Sequence, residues 1–317
     1  MPSFPKPRFA FDYDAEAETA RLRAHKVTRG IPAKRADGLL VATWNIANFG
    51  AQERRDQDHR LIAEILGWFD LIAIQEVREN FAPLFDVKHL LGDRYRVVFS
   101  DVAGNNERMA FLYDARKLTL LEEVGEIAIP PSSLKSVKVK GVDLRFEGFD
   151  RNPYLATFAI GRVSFLLINV HLYFGGTDAP SMGRRVLETL AVAQYAARRR
   201  KSKHAFTREV IALGDFNMPK REARDPVYRA LTSRGLEVPD HGSGLGSNLQ
   251  SDKHYDQVAF FPGETKNCFS GRMGVFDFDG VVFPELWERN GQKAFNAYLR
   301  YHLSDHRPLW MELNIPQ

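Results

Sequence analysis

The sequence predicts an α+β layered fold. Short apolar runs of strand character recur along the chain, at Val41–Trp44, Leu71–Ile74, Phe165–Val170 and Val210–Leu213. Stretches with apolar residues at helical spacing interrupt them. There is no fixed-period repeat and no low-complexity tract, which argues against solenoids and propellers. Runs of strands broken by a few helices are the pattern of sheets covered by helices.

Taken in order, residues 1–37 read as an N-terminal extension outside the core: Pro-rich at first, then helix-prone from Ala15 to Lys26. Residues 38–317 read as one domain, with its core running from Leu39 to Leu313. Glu53 to Phe69 predicts a helix, because Leu61, Ile62, Ile65, Leu66 and Phe69 form a stripe. Arg184 to Arg200 predicts another, with Val186, Leu190, Ala193 and Ala197 on one side. Further strands are expected at Arg96–Phe99, Met109–Tyr113, Leu155–Ile160 and Gln257–Phe261. Lys135, Lys138 and Lys140 alternate as they would on one face of a hairpin. Gly242–Ser247 reads as a flexible loop and not a phosphate-binding P-loop, since no Gly-Lys-Ser/Thr follows.

A chain of 317 residues can bury a substantial core. Its 44% apolar and 26% charged content is that of a globular protein. No apolar run approaches the roughly 20 residues a membrane span needs. The start, Met1 to Pro7, lacks a continuous apolar core, so no secretory signal is expected. One cysteine, Cys268, excludes an internal disulfide and suits a reducing, cytoplasmic compartment. The net charge of +4 permits a polyanionic partner. Arg198–Lys203, at a helix C-terminus, is more simply read as complementing the helix dipole than as a phosphate patch.

The chemistry sits at the strand ends. Val41–Trp44 runs into Asn45, Leu71–Ile74 into Gln75-Glu76, Phe165–Val170 into His171, and Val210–Leu213 into Gly214-Asp215-Phe216-Asn217. Ser304-Asp305-His306 precedes one more strand-like run, Leu309–Met311. Open sheets collect ligand sites at strand ends, so these distant residues are expected to meet. Asn45, Glu76, Asp215, Asn217 and Asp305 offer only oxygen donors, which favours a hard cation such as Mg²⁺ over Zn²⁺. Mn²⁺ and Ca²⁺ are the other hard-cation options. Magnesium recruits phosphate oxygens to its shell, which points to phosphoester substrates. His171 and His306 each have a candidate carboxylate partner, Glu107 and Asp256, and such a pairing fixes the imidazole tautomer and raises its basicity.

These segments resemble the endonuclease/exonuclease/phosphatase superfamily: Trp44–Gly50, Gln75-Glu76-Val77-Arg78, Asn169-Val170-His171, Gly214–Asn217, Tyr255-Asp256-Gln257 and Ser304-Asp305-His306, all in the family's order. Glu107–Tyr113, Arg151–Ala156 and Phe276-Asp277-Phe278 are most similar to its deoxyribonuclease I branch. The resemblance spans residues 39 to 314. It implies a four-layered α/β sandwich, two mixed sheets face to face with helices outside. It further implies a Mg²⁺-dependent endonuclease that cuts DNA by in-line water attack, leaving 5′-phosphate and 3′-hydroxyl ends. A monomer is expected, although the sequence does not set the oligomeric state. By the same resemblance Glu76 is the principal metal ligand, with Asn45 and Asp305 assisting. Asp215 positions or deprotonates the water, and Asn217 binds the phosphate. His171 and His306 flank the phosphate, oriented by Glu107 and Asp256. Arg151 contacts a phosphate oxygen, and Arg78 keeps a contact in the DNA groove. The arginine and tyrosine that deoxyribonuclease I inserts into the minor groove are replaced by Ala47 and Asn105. A phosphatase or phosphodiesterase acting on a smaller or lipid phosphoester therefore stays open, as does a non-catalytic nucleic-acid-binding protein on the same fold.

Overall fold

The computed structural model describes residues 4–316; Met1, Pro2 and Ser3 of the Pro-rich start, and Gln317, lie outside the described residues. In chain order the elements are α1 Ala15–Thr28, β1 Gly38–Phe49, α2 Asp56–Gly67, β2 Leu71–Val77, α3 Ala82–Leu91, β3 Tyr95–Phe99, β4 Arg108–Asp114, β5 Thr119–Glu126 and α4 Pro131–Leu134. They continue with β6 Tyr154–Ile160, β7 Val163–His171, α5 Ala179–Lys201, β8 Val210–Asp215, α6 Pro226–Thr232, β9 Asp256–Phe260, α7 Glu264–Cys268, β10 Phe269–Val275, α8 Pro284–His302 and β11 Leu309–Asn314.

The strands form two mixed sheets. One has the order β10-β11-β1-β2-β4-β3, the other β5-β6-β7-β8-β9. β1 runs parallel to β2, and β7 parallel to β8; the other pairings are antiparallel. The sheets face each other across a core that includes Val41, Ala73, Phe111, Phe165, Leu213, Phe260 and Met311. Outside the first sheet, Leu61, Ile65 and Leu66 of α2 meet Ala42, Trp44 and Ile74. Outside the second, Val186, Leu190 and Ala193 of α5 meet Ile168, Val170 and Ala212. The molecule is thus helix, sheet, sheet, helix, as expected.

Strand periodicity explains the layering. Val41 faces the second sheet and Ala42 the helices, because successive side chains alternate. Both faces of the central strands are buried, which is why they read as continuous apolar runs. Local signals set the helix limits. Asp178 caps α5 by accepting from Ser181 N at 2.9 Å, with Pro180 in the first turn. Arg55 N donates to Asp58 Oδ2 at 2.8 Å to open α2.

Two expectations need correction. The segment before β1 does not stand outside the core, because Leu22 and Ile31 are buried in it and Phe9, Phe11 and Tyr13 pack against it. Its helix is tied to the body by Arg29 and His25, which both hold Asp277. The lysine hairpin also fails to form. Residues 135–149 contain no strand and follow a short helical turn, α4, so Lys135, Lys138 and Lys140 lie on an irregular strap. Gly242–Ser247 is irregular, as expected, and no helix among the described residues is long and apolar enough to cross a membrane.

Candidate active site

The alternation that builds the inter-sheet core also builds the site. Val41 faces the second sheet, so Asn45, four residues on, faces it too. By the same parity Phe165 and Leu167 lead to Asn169 and His171, while Ile211 and Leu213 lead to Asp215. Val258 points back to Asp256 on β9, and Met109 points back to Glu107 beside β4. These polar residues therefore continue the apolar faces at one end of the sandwich. None of them is more than 4% exposed.

Glu76 breaks the parity and is re-aimed by the backbone. It adopts φ +62°, and the register of β2 slips against both neighbours, between Ile74 and Val77 on one side and Asn45 and Phe49 on the other. An irregularity of this type rotates a side chain that the regular pleat would point elsewhere. Glu76 Oε2 then accepts from Asn48 N at 2.8 Å and Oε1 from Asn45 Nδ2 at 3.0 Å. Gly214 has φ +131°, and a Cβ there would stand 2.2 Å from Val170 O, so only glycine lets β8 lie against β7 at Asp215.

The centre is Asp215. Its Oδ2 lies 3.6 Å from His171 Nε2 and 3.7 Å from His306 Nε2. Behind each imidazole stands a carboxylate, Glu107 Oε2 at 2.8 Å from His171 Nδ1 and Asp256 Oδ2 at 2.8 Å from His306 Nδ1. Burial opposes a charge on His306, but Asp256 and Asp215 outweigh it and hold the imidazole well above its ordinary value. At His171, burial and Arg151 oppose protonation, yet Glu107 and Asp215 still raise it. Burial would raise Asp215, but His306, His171 and the Asn217 amide keep it lowered. Asp256 is shifted up, chiefly by burial.

Asn45 supports a cation site. Its Nδ2 donates to Glu76 and, at 3.1 Å, to Asp215, which turns Oδ1 the other way. That oxygen is buried and has no hydrogen-bond partner. A buried acceptor without a donor, beside a carboxylate, is what a hard divalent ion satisfies. Asp305 completes the acidic set: burial pushes its carboxyl up, His306 opposes this, and the charge on Glu76 adds to it. The oxygen donors of Glu76, Asn45 and Asp305 thus suit a Mg²⁺-type ion.

The two arginines are placed differently from expectation. Arg151 is 3% exposed and contacts no open surface. Its guanidinium donates to His171 O at 2.7 Å, Leu172 O at 2.9 Å and Glu107 Oε1 at 3.1 Å. It braces the His171–Glu107 pair from behind and does not reach for phosphate. Arg78, expected in a nucleic-acid groove, is buried; it donates to Asn48 Oδ1 at 2.6 Å and to the Asn105 carbonyl, joining two loops. Ala47 is buried as well and presents nothing to a groove. Asn217, at φ +49°, donates from its backbone to Asp215 Oδ1 at 2.8 Å and from Nδ2 to Leu172 O at 2.8 Å, so it orients Asp215.

Three residues of the quoted motifs take roles that the sequence did not assign them. Ser304 Oγ donates to Asn45 O at 2.6 Å and accepts from His306 N at 3.0 Å, which clamps the last loop to β1. Trp44 Nε1 donates to His306 O at 2.7 Å. The Tyr255 ring lies 5.7 Å from the His306 ring. Position within a motif does not distinguish a clamping serine or a ring-packing tyrosine from a spacer.

Two mixed sheets between helices make a four-layered α/β sandwich, and the chain has the endonuclease/exonuclease/phosphatase fold. Among solved structures it is similar to an endonuclease/exonuclease/phosphatase family protein from Bacteroides thetaiotaomicron, at 22% identity and TM-score 0.59 over 88% of this chain and 95% of that one. It is also similar to the mannosyl-6-phosphatase of Bacteroides thetaiotaomicron, at 22% identity and TM-score 0.58 over 87% and 99%. TDP2 of D. rerio, complexed with a single-strand DNA product, matches at 15% identity and TM-score 0.58 over 87% and 99%. No protein-family model and no curated protein matches the sequence.

Proposed function

We propose that the chain is a divalent-metal-dependent phosphodiester hydrolase, with DNA as its substrate. One observation carries the reading: Asp215 Oδ2 stands between two imidazole Nε2 atoms, each backed by a carboxylate, beside the unpartnered oxygen of Asn45. Hydrolysis of a phosphoester needs a group for the attacking water, positive charge around phosphorus and a proton for the leaving oxygen. Asp215, held anionic and fixed by Asn217, orients the water and accepts its proton as the new O–P bond forms. His306, held protonated by Asp256, gives a proton to the leaving oxygen as the old P–O bond breaks. His171 supplies a second hydrogen bond to phosphate, its orientation set by Glu107 and Arg151. A divalent ion on Glu76, Asn45 and Asp305 would add Lewis-acid stabilisation of charge on the phosphoryl oxygens.

The likeness to TDP2 with bound DNA product and the chain's net charge of +4 support a nucleic-acid substrate. Burial of Arg78 and Arg151, with the likeness to a mannosyl-6-phosphatase, supports a second reading, a phosphatase on a smaller ester. Purified protein with Mg²⁺, or with EDTA, is tested on plasmid, single-stranded DNA, RNA, abasic duplex and the mono- and bis-nitrophenyl phosphates, with His306→Ala alongside. Nicking of plasmid to 5′-phosphate and 3′-hydroxyl ends that EDTA and His306→Ala both abolish supports the first reading. Turnover of the monoester alone supports the second, and no His306-dependent turnover of any substrate overturns both.

A further inference from the structure

Outside the site, the molecule has a cavity of about 960 Å³ between α5, α6 and the strap that follows α4. No residue of the catalytic cluster lines it. Its floor is apolar, made by Met182, Val186 and Leu190 of α5, and Val142 and Leu144 of the strap close one side. The strap lies close to α5 at Gly183, where a Cβ would stand 2.8 Å from Leu144 Cδ1 and 3.2 Å from Val142 Cγ1. The size is that of a small-molecule site and exceeds what a packing defect leaves.

The rim is cationic. Lys138 and Lys140 stand on the strap and Arg229 and Arg234 on the α6 side, all exposed, against the single acid Asp143. None of the four has an ion-pair partner among the described residues. An apolar floor beneath unpaired cations complements a ligand with a hydrocarbon tail and an anionic head. The lining contains no aromatic side chain, so the stacking platform that single-stranded nucleic acid uses is missing. The surface is concave, which suits one inserted chain and not the flat face of a bilayer.

We propose that this cavity binds a single-chain anionic amphiphile, an alkyl or acyl chain ending in a phosphate or carboxylate, taken up as a monomer. The hydrocarbon lies on Met182, Val186 and Leu190, and the head pairs with Arg229, Arg234 and the strap lysines.

Isothermal titration calorimetry with dodecyl phosphate below its micelle concentration tests this, with inorganic phosphate and dodecyl maltoside as probes of each half. The expected result is one site per chain, with each half-probe weaker by about tenfold or more. Met182→Trp, which fills the floor, and the double variant Arg229→Glu/Arg234→Glu should each weaken dodecyl phosphate about tenfold or more while keeping the wild-type Tm. His306→Ala should bind it as the wild type does. Loss in His306→Ala with retention in the two cavity variants would put the ligand in the catalytic site and overturn the proposal. Equal affinity for inorganic phosphate, displacement by an oligonucleotide, or binding only to anionic vesicles would overturn it too. A cavity variant with a lowered Tm is replaced by Ser233→Glu, which adds a like charge at the exposed rim, and unchanged affinity there counts against the proposal.

Discussion

Gln75 Nε2 donates to Asn169 Oδ1 at 2.6 Å, and this bond joins the two sheets directly beneath the site. Gln75 also donates to Thr43 Oγ1 at 3.0 Å, and Asn169 to Ala110 O at 3.0 Å and Ile74 O at 3.2 Å. The network is fully buried and replaces apolar packing where the two faces turn polar. Gln75→Leu leaves Asn169 Oδ1 without its donor, which should cost about 1–3 kcal/mol in urea unfolding. Glu76 is the next residue on β2, so Mg²⁺ affinity measured by calorimetry should fall in the same variant.

The unpartnered oxygen of Asn45 makes a separate prediction about the metal. Asn45→Ala should weaken Mg²⁺ binding about tenfold or more, and Glu76→Ala should weaken it further. Arg151→Lys, which touches no proposed metal ligand, should leave Mg²⁺ affinity near the wild-type value. Equal losses in all three would remove Asn45 and Glu76 from the metal site.

Glu107→Gln and Asp256→Asn keep the shapes of the His171 and His306 pairs but remove the charge behind each ring. Under the proposed function each should lower kcat on the phosphoester substrate about a hundredfold or more, with KM little changed. An amide also permits the wrong imidazole tautomer, so the deficit should persist across pH. A KM effect alone would make these acids substrate contacts.

Gly214→Ala should be the most damaging small substitution in β8. The added methyl meets Val170 O at 2.2 Å, at a φ of +131° that alanine resists. Both effects act in the folded state, so a loss of about 3 kcal/mol or more in stability is expected, read by thermal or urea denaturation. Gly242→Ala, in an open loop with nothing within 4 Å of the new Cβ, is the matched control at positive φ.

Asp58 makes the pH prediction. Burial opposes its charge, but His302 at 2.8 Å and Arg55 outweigh it and bring the carboxyl down to about 2 from an ordinary 3.8. A carboxyl with a lowered folded value stabilises above the ordinary value and loses that stabilisation as pH falls towards about 2. The wild type should exceed Asp58→Asn by about 2 kcal/mol near neutrality, and the gap should narrow between about pH 4 and about pH 2. A gap that stays constant through that range would deny Asp58 its lowered value.

Much of the architecture was legible because its causes are local. Buried strands announce themselves as apolar runs, and the two-residue period then fixes which polar residues emerge together at their ends. Asn45, His171, Asp215 and Asp256 were readable for that reason. Arg151 and Arg78 were not, since an arginine beside a motif reads the same whether it faces ligand or backs a histidine; only the third dimension shows their carbonyl partners. The strap failed as a hairpin because alternating lysines have the same spacing in a strand and in irregular chain. α8 gave no expectation at all. Its break at Gly291, φ +71°, interrupts the helical period that would have revealed it.

Glu76 leaves one consequence for how this chain can change over generations. A left-handed backbone at a residue with a side chain costs about 1–3 kcal/mol, and glycine there would remove most of it. The substitution that most relaxes β2 is therefore also one that deletes the carboxylate. Selection for a hardier protein and selection for a working one pull apart at this position, and its glycine variant should be the easiest route to a sturdy, inert descendant.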